Sequence, residues 1–364
     1  MNKEALYNII RQENPLGLGV LISDNKNILD TYCFGKRSIE KNLDITPDTI
    51  YRIASISKVI VAMCVMMLQD DGLLDINEDI SKYLGYKVRN PYFPEDMITI
   101  KMLMTQSSSL CDGEDEKLGY DGVNGPKIYV SLERLLTDPT YEYYTNKTYL
   151  NKKPGTHFCY SNFGCGILAC IIEKVSGMLF TQFVIERLFK PFDIDASFRA
   201  TDIKNKDKIA SLYRKDFSLS RDSEQFCRYV FDIYPLGDNF RGPAGGLFIS
   251  MIDLSKIMRV LMNNGIYDGI RILNTDTVKE MKKIQFVMNE KNSIYQQKGL
   301  QMVVLDIFDN RLYGHTGEAY GLRSFMLFND SKGYIFMCNG CDFKMHFSDF
   351  SSLQYEVLKV LTNE

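Results

Sequence analysis

Strand-like runs lie near both ends of this 364-residue chain, and helical patterns fill the stretch between them. Gly17 to Ile22 is apolar, Ser23 to Asn27 is turn chemistry, and Ile28 to Phe34 is apolar again, so residues 17–34 read as a hairpin. Thr49 to Ile53 adds a short extended run. Strand signals resume only after Gly245, at Leu300 to Ile307, Leu322 to Phe328 and Tyr334 to Cys338. Such a distribution predicts one sheet completed by distant segments, with a helical subdomain inserted. The expected division puts residues 1–73 and 242–364 in the sheet part and residues 74–241 in the helical part, together one domain.

Between the strands, the strongest helix begins at Ser55. Val59, Met63, Met66 and Met67 recur at helical spacing and Gly72 is a stop signal. A methionine-rich face of this kind is core filling. Asn77 to Leu84, Thr99 to Thr105, Ser131 to Leu136, Phe163 to Val175 and Thr181 to Phe189 are further helix candidates, and Phe350 to Leu361 reads as an amphipathic closing helix. The polar segments Asp112–Pro126 and Thr137–Pro154 are long for loops, a length that goes with covering a site or with disorder.

Composition removes several function classes. A formal charge of −3 supplies no field toward nucleic acid or an anionic membrane. The longest apolar run, Val59 to Leu68, is about half of the roughly 20 residues that span a bilayer. The N-terminal segment has no apolar h-region. Nine cysteines, an odd number, argue against a disulfide framework, and with the missing leader they predict a soluble protein of a reducing cytoplasm. Cys338-Asn339-Gly340-Cys341 has C-x-x-C spacing without a second ligand pair, so it reads as a strand end and a turn. No cofactor or metal is called for.

The chemistry narrows by elimination. G-x-S-x-G, H-E-x-x-H and the P-loop are absent, and the three histidines show no triad spacing. S-x-x-K is present at Ser55-Ile56-Ser57-Lys58 and again at Ser38-Ile39-Glu40-Lys41. At i and i+3 of a helix a hydroxyl and an ammonium share a face, and a desolvated Lys can lose its proton and activate the Ser. Only the first pair leads into an apolar helix able to bury the Lys. Y-x-N occurs at Tyr144, Tyr149 and Tyr160, and Tyr160-Ser161-Asn162 alone runs into a helix. A Tyr beside a Lys can have a lowered pKa and serve as acid or base, and the Asn amide offers a donor and an acceptor. His315-Thr316-Gly317 precedes a strand, where small residues on an edge can bind an extended substrate through the backbone.

Taken in order, Arg52-Ile53-Ala54-Ser55-Ile56-Ser57-Lys58, Tyr160-Ser161-Asn162 and His315-Thr316-Gly317 resemble the three-motif signature of the serine β-lactamase and penicillin-binding-protein family. That family includes the class C β-lactamases, D-alanyl-D-alanine carboxypeptidases and related esterases. Thr46-Pro47-Asp48-Thr49, Ile98 to Thr105, Pro154-Gly155 and Gly242 to Leu247 resemble it as well, so the likeness runs from about residue 17 to about residue 340. The resemblance implies an α/β fold of the α+β type, an antiparallel sheet flanked by helices with one helical wall to the cleft. It implies Ser55 as acylated nucleophile, Lys58 and Tyr160 as the acid/base pair, and Asn162, His315, Thr316, Gly317 and Glu318 against the substrate. The Glu318 N–H would face that of Ser55 as the oxyanion hole.

Two departures bear on substrate. His315 stands where these lactamases typically carry Lys, which weakens attraction for a β-lactam carboxylate. Glu318 adds a carboxylate that can repel anions or hold an amine. The expected partner is a small amide, ester or peptide, with D-amino-acid peptides included, and oligomeric state is left open. The rivals are a class C-like β-lactamase and a penicillin-binding or scaffold protein with little turnover.

Overall fold

The apolar run Gly17 to Ile22 becomes a strand buried almost along its length because it is paired on both sides and covered on both faces. The computed structural model describes residues 1–125, 128–228, 233–288 and 293–363. The hairpin is β1 (Gly17–Asp24) and β2 (Ile28–Ser38), extended by β3 (Leu43–Asp44). The distant partners are β4 (Phe286–Val287), β5 (Gln297–Lys298), β6 (Val303–Ile307), β7 (Asn310–Ala319), β8 (Leu322–Phe328) and β9 (Lys332–Asn339). They form a nine-stranded sheet in the order β4-β5-β6-β7-β8-β9-β1-β2-β3. Every ladder in it is antiparallel, and β9 closes it by pairing Gly17 with Asn339 through Asp24 with Lys332.

Each face carries its own apolar layer. Leu18, Val20 and Ile22 of β1 pack with Leu6 and Ile10 of α1 (Lys3–Glu13) and with Val357 and Leu358 of α5 (Ser352–Thr362). Leu21, on the other face, joins α2 (Ser57–Asp70), α3 (Asn162–Ser176) and α4 (Met251–Met262). Gly19 lets α4 approach, since a Cβ there would lie 2.7 Å from Met251 Cε. Two-sided cover is why β1 reads as a continuous apolar run instead of an alternating one.

Several elements differ from the sequence reading. Neither α1 nor α4 stands out in it, although Asn2 and Ser250 cap them through side-chain oxygens. The helix expected from Ser55 starts as a 3₁₀ turn, Ala54–Ile56, and the α-helix follows at Ser57. The helix expected from Asn77 spans Ile80–Leu84 behind an Asp79 cap. Cys338 lies in the last two residues of β9, which ends at Asn339, and Cys341 follows Gly340, both as free buried thiols. Among the described residues no single helix is long and apolar enough to cross a membrane.

Candidate active site

Ser55 is presented by a strained turn. Ala54 adopts φ +53°, a left-handed conformation that costs a non-glycine residue on the order of 1 kcal/mol. Its surroundings hold it there. Ser57 Oγ donates to Ala54 O (2.6 Å) and accepts from Leu247 N (3.1 Å), while Ile53 N donates to Leu247 O (2.9 Å). From the sheet side, Ser324 Oγ donates to Ile53 O (3.2 Å). A Cβ on Gly317 would stand 2.3 Å from Ile53 O, so β7 rests directly against the turn.

Lys58 lies one turn along, wholly buried. Its Nζ donates to Ser55 Oγ (3.0 Å), Asn162 Oδ1 (2.8 Å) and Ala244 O (2.8 Å), which uses all three protons of the ammonium. Burial outweighs the nearby anionic groups and pulls its pKa down to about 8. Tyr160 Oη donates to Ser55 Oγ at 2.8 Å, and Lys58 Nζ lies 4.9 Å from the Tyr160 ring centre. The lowered tyrosine pKa expected beside a lysine does not occur, because burial dominates and pushes the phenol well above its ordinary value. Of the two groups that hydrogen-bond Ser55 Oγ, Lys58 is therefore the one poised to lose a proton near neutrality, and Tyr160 is a neutral phenol.

The second motif is held by a residue that sequence spacing does not reveal. Asp112 accepts from Ser161 Oγ (2.9 Å), Asn162 N (3.1 Å), Asn162 Nδ2 (2.8 Å) and Phe163 N (2.9 Å). These bonds gather the carboxylate at the start of α3, where backbone N–H groups favour an anion. Asn162 is thus fixed at both ends of its amide, between Asp112 and Lys58, and Ser161 caps the helix by accepting from Gly164 N. Asp112 opens one of the long polar segments, and that length is its only signal in the sequence.

The competing motifs are engaged elsewhere. Lys41 pairs with Glu224 at 2.7 Å, away from Ser38. Tyr144 bonds Asn146 within its own triplet, and Tyr149 Oη donates to Leu136 O.

A cleft of about 560 Å³ opens beside Ser55, walled by Tyr160, Asn162, Tyr295, Thr316, Gly317 and Glu318. Ladder pairing between β6 and β7 ends at Gly314, so residues 315–319 have no sheet partner on that side among the described residues. The alternation of β7 separates the third motif. Thr316, Gly317 and Glu318 line the cleft, whereas His315 is fully buried and contributes no wall, at odds with its expected substrate contact. Its Nδ1 lies 2.6 Å from Thr316 O, and burial with the two nearby lysines holds its pKa well below the usual imidazole range. Glu318 pairs with Arg323 at 2.6 Å and stays 61% exposed at its side chain.

Behind the cleft lies a buried layer that no motif announces. Tyr295 has its ring centre 5.2 Å from that of Tyr160 and 5.9 Å from that of His315. Lys298, on β5, is fully buried, its Nζ 5.2 Å from the Tyr295 ring centre and without a hydrogen-bond partner among the described residues. Burial first, then Lys58, pulls its pKa down to about 7. Gln297-Lys298-Gly299 matches no spacing that sequence reasoning weighs.

Known proteins share this arrangement of chain. The protein flp of Staphylococcus aureus (strain NCTC 8325 / PS 47) is 28% identical over 319 residues, covering 87% of this chain and 58% of its own. Penicillin-binding protein 4* of Bacillus subtilis (strain 168) is 22% identical over 231 residues, 64% of this chain and 46% of its own. The chain thus spans about half the length of the curated relatives it matches. Among solved structures, the octameric penicillin-binding protein homologue from Pyrococcus abyssi superposes with TM-score 0.75 at 20% identity, over 100% of this chain and 77% of that one. The D-amino acid amidase from Ochrobactrum anthropi SV3, complexed with D-phenylalanine, gives TM-score 0.73 at 17% identity over 99% of both. The family description Beta-lactamase matches residues 8–340, which takes in the Ser55 turn, the Asp112 clamp and β7, and the chain belongs to that family.

Proposed function

We propose that the protein is a serine hydrolase that works through an acyl-enzyme on Ser55 and takes small amides or esters, D-aminoacyl amides and peptides among them. The observation that carries this reading is Ser55 Oγ within hydrogen-bond reach of both Lys58 Nζ and Tyr160 Oη, at the floor of an open cleft. Neutral Lys58, roughly a tenth of the population at pH 7 for a pKa near 8, takes the Ser55 proton as Oγ attacks the carbonyl carbon. Tyr160, still protonated, hands a proton toward the leaving amine or alkoxide and is recharged from Lys58. The N–H groups of Ser55 and Glu318 are the proposed oxyanion donors. Water then attacks the acyl carbon by the reverse proton path and frees the acid.

Charge on the cleft wall favours substrates that carry an amine. Among the described lining residues the carboxylic acids are Glu318 and Asp349, and Asp349 is held above the usual carboxylate range by burial and then by Glu318. An ammonium is attracted there and the carboxylate of a β-lactam is not. The D-amino acid amidase named above, alike in fold, acts on amides of that class by its description. A panel of p-nitrophenyl esters, D- and L-aminoacyl amides and a chromogenic cephalosporin tests the assignment. Esters or D-aminoacyl amides should give the higher kcat/KM, and a cephalosporin hydrolysed faster than all of them overturns it.

A further inference from the structure

A second, smaller pocket of about 150 Å³ opens on Ser55, and the proton path makes no use of its charge. It shares Ser55, Asn162 and Glu318 with the larger cleft, and its remaining wall includes Arg52, Tyr120 and Tyr320. Tyr160 lines only the larger of the two. The proposed proton donor to the leaving group thus faces one side of Ser55, which leaves the smaller pocket to the acyl residue.

Arg52 reaches this pocket from the end of the short strand Ile50–Arg52, three residues ahead of the nucleophile. Tyr320 reaches it from the two-residue turn between β7 and β8. Both turn residues have positive φ, +57° for Tyr320 and +95° for Gly321, and a Cβ on Gly321 would stand 1.9 Å from Tyr213 O. Asn, Asp and Gly dominate such turns, so the aromatic ring is held here against backbone strain. Two guanidinium groups converge on that ring, Arg52 Cζ at 5.0 Å and Arg221 Cζ at 4.0 Å from its centre. Neither arginine has a carboxylate within ion-pair distance among the described residues, and Glu318 is engaged by Arg323 at 2.6 Å. Two like charges gathered at one ring without a counterion repel each other, and an oxyanion from outside relieves that repulsion. The planar guanidinium fork matches a carboxylate in particular.

We propose that the smaller pocket is the subsite for the acyl side chain and takes a carboxylate, so that amides and peptides with an aspartyl or glutamyl acyl residue are the preferred substrates. Arg52 receives the side-chain carboxylate, and Arg221 adds a second positive charge at the same ring. Glu318, on the border of the two pockets, attracts the α-ammonium of the same residue. The leaving amine then extends into the larger cleft beside Tyr160. This substrate choice rests on the proposed function, in which Ser55 is acylated, whereas the pocket's affinity for an anion does not.

The test compares glutamyl with glutaminyl p-nitroanilides, in D and L forms, at low ionic strength. These acyl residues differ in charge at nearly constant size. kcat/KM for the better glutamyl enantiomer should exceed that of its glutaminyl counterpart at least about tenfold, and the ratio should shrink as salt is added. Arg52→Gln should bring the ratio near unity, and Arg221→Gln, at an exposed position, should lower it about threefold. Arg311→Gln, at the other end of β7, should leave it unchanged. A ratio at or below unity in the parent protein overturns the subsite, and a ratio that survives Arg52→Gln overturns the role of Arg52. Calorimetric binding of the glutamyl and glutaminyl amides to Ser55→Ala separates this proposal from the one it rests on, and decides it if neither anilide is hydrolysed. Equal binding overturns the subsite whatever the nucleophile. Tighter binding of the glutamyl amide, with hydrolysis persisting in Ser55→Ala, keeps the subsite and overturns Ser55 as nucleophile.

Discussion

Ser55 Oγ accepts two hydrogen bonds at once, and the two donors respond to burial in opposite ways. Burial lowers the pKa of Lys58, whose charged form it disfavours, to about 8, and raises that of Tyr160, whose charged form is the anion. The rate of acylation should therefore climb about tenfold per pH unit below pH 8 and level off above it. A rise that continued past about pH 10 would instead make the phenolate the base. Tyr160→Phe should lower the plateau by roughly 10²–10⁴-fold and leave the inflection near pH 8, since Lys58 keeps its burial. Stopped-flow labelling with a p-nitrophenyl ester across pH reads both.

Among the elements, β7 decides how close a substrate backbone comes to Ser55. Gly317 has room for nothing larger than hydrogen, with Ile53 O and Ser324 Oγ at 2.3 and 2.4 Å from a would-be Cβ. Gly317→Ala should push β7 off the Ser55 turn and cut acylation by about 10²-fold, with a separate loss of stability of about 1–3 kcal/mol. Urea unfolding beside single-turnover rates separates the two effects, and an unchanged rate would contradict the proposed role of this edge. The same strand shows what sequence could and could not tell. β1, β8 and β9 are legible because a buried strand is a short apolar run between turn residues. Ser55 and Lys58 are legible because i, i+3 spacing fixes a shared face whatever lies around it. Asp112, Tyr295 and Lys298 meet the site only through tertiary packing, and local spacing carries no trace of that. His315 misled for a related reason. The motif names a position, but the period-2 alternation of β7 turns its side chain inward while Thr316 lines the cleft.

Over the whole molecule, the site places two lysines and a histidine in the core. Lys58 and Lys298 have folded pKa values of about 8 and about 7, below their unfolded value, so the unfolded chain binds more protons across the window up to about pH 10.5. Stability from these groups therefore rises with pH through that window and falls as pH drops, and neutral His315 adds to the fall below about pH 6.5. Lys298→Met removes a cation that has no hydrogen-bond partner among the described residues and only the Tyr295 ring, 5.2 Å away, beside it. It should raise the midpoint of thermal unfolding, by an amount equivalent to a few kcal/mol near pH 6 and much less near pH 10. A variant less stable than the parent at both pH values would mean that Lys298 is paired in the folded protein. The central claim, that catalysis runs through an acyl-enzyme on Ser55, is tested most directly by acid-quenching the protein during turnover of a p-nitrophenyl ester and mapping the added acyl mass. The adduct should sit on the peptide carrying Ser55, vanish in Ser55→Ala and persist in Ser38→Ala. An adduct elsewhere, or undiminished turnover by Ser55→Ala, would contradict it.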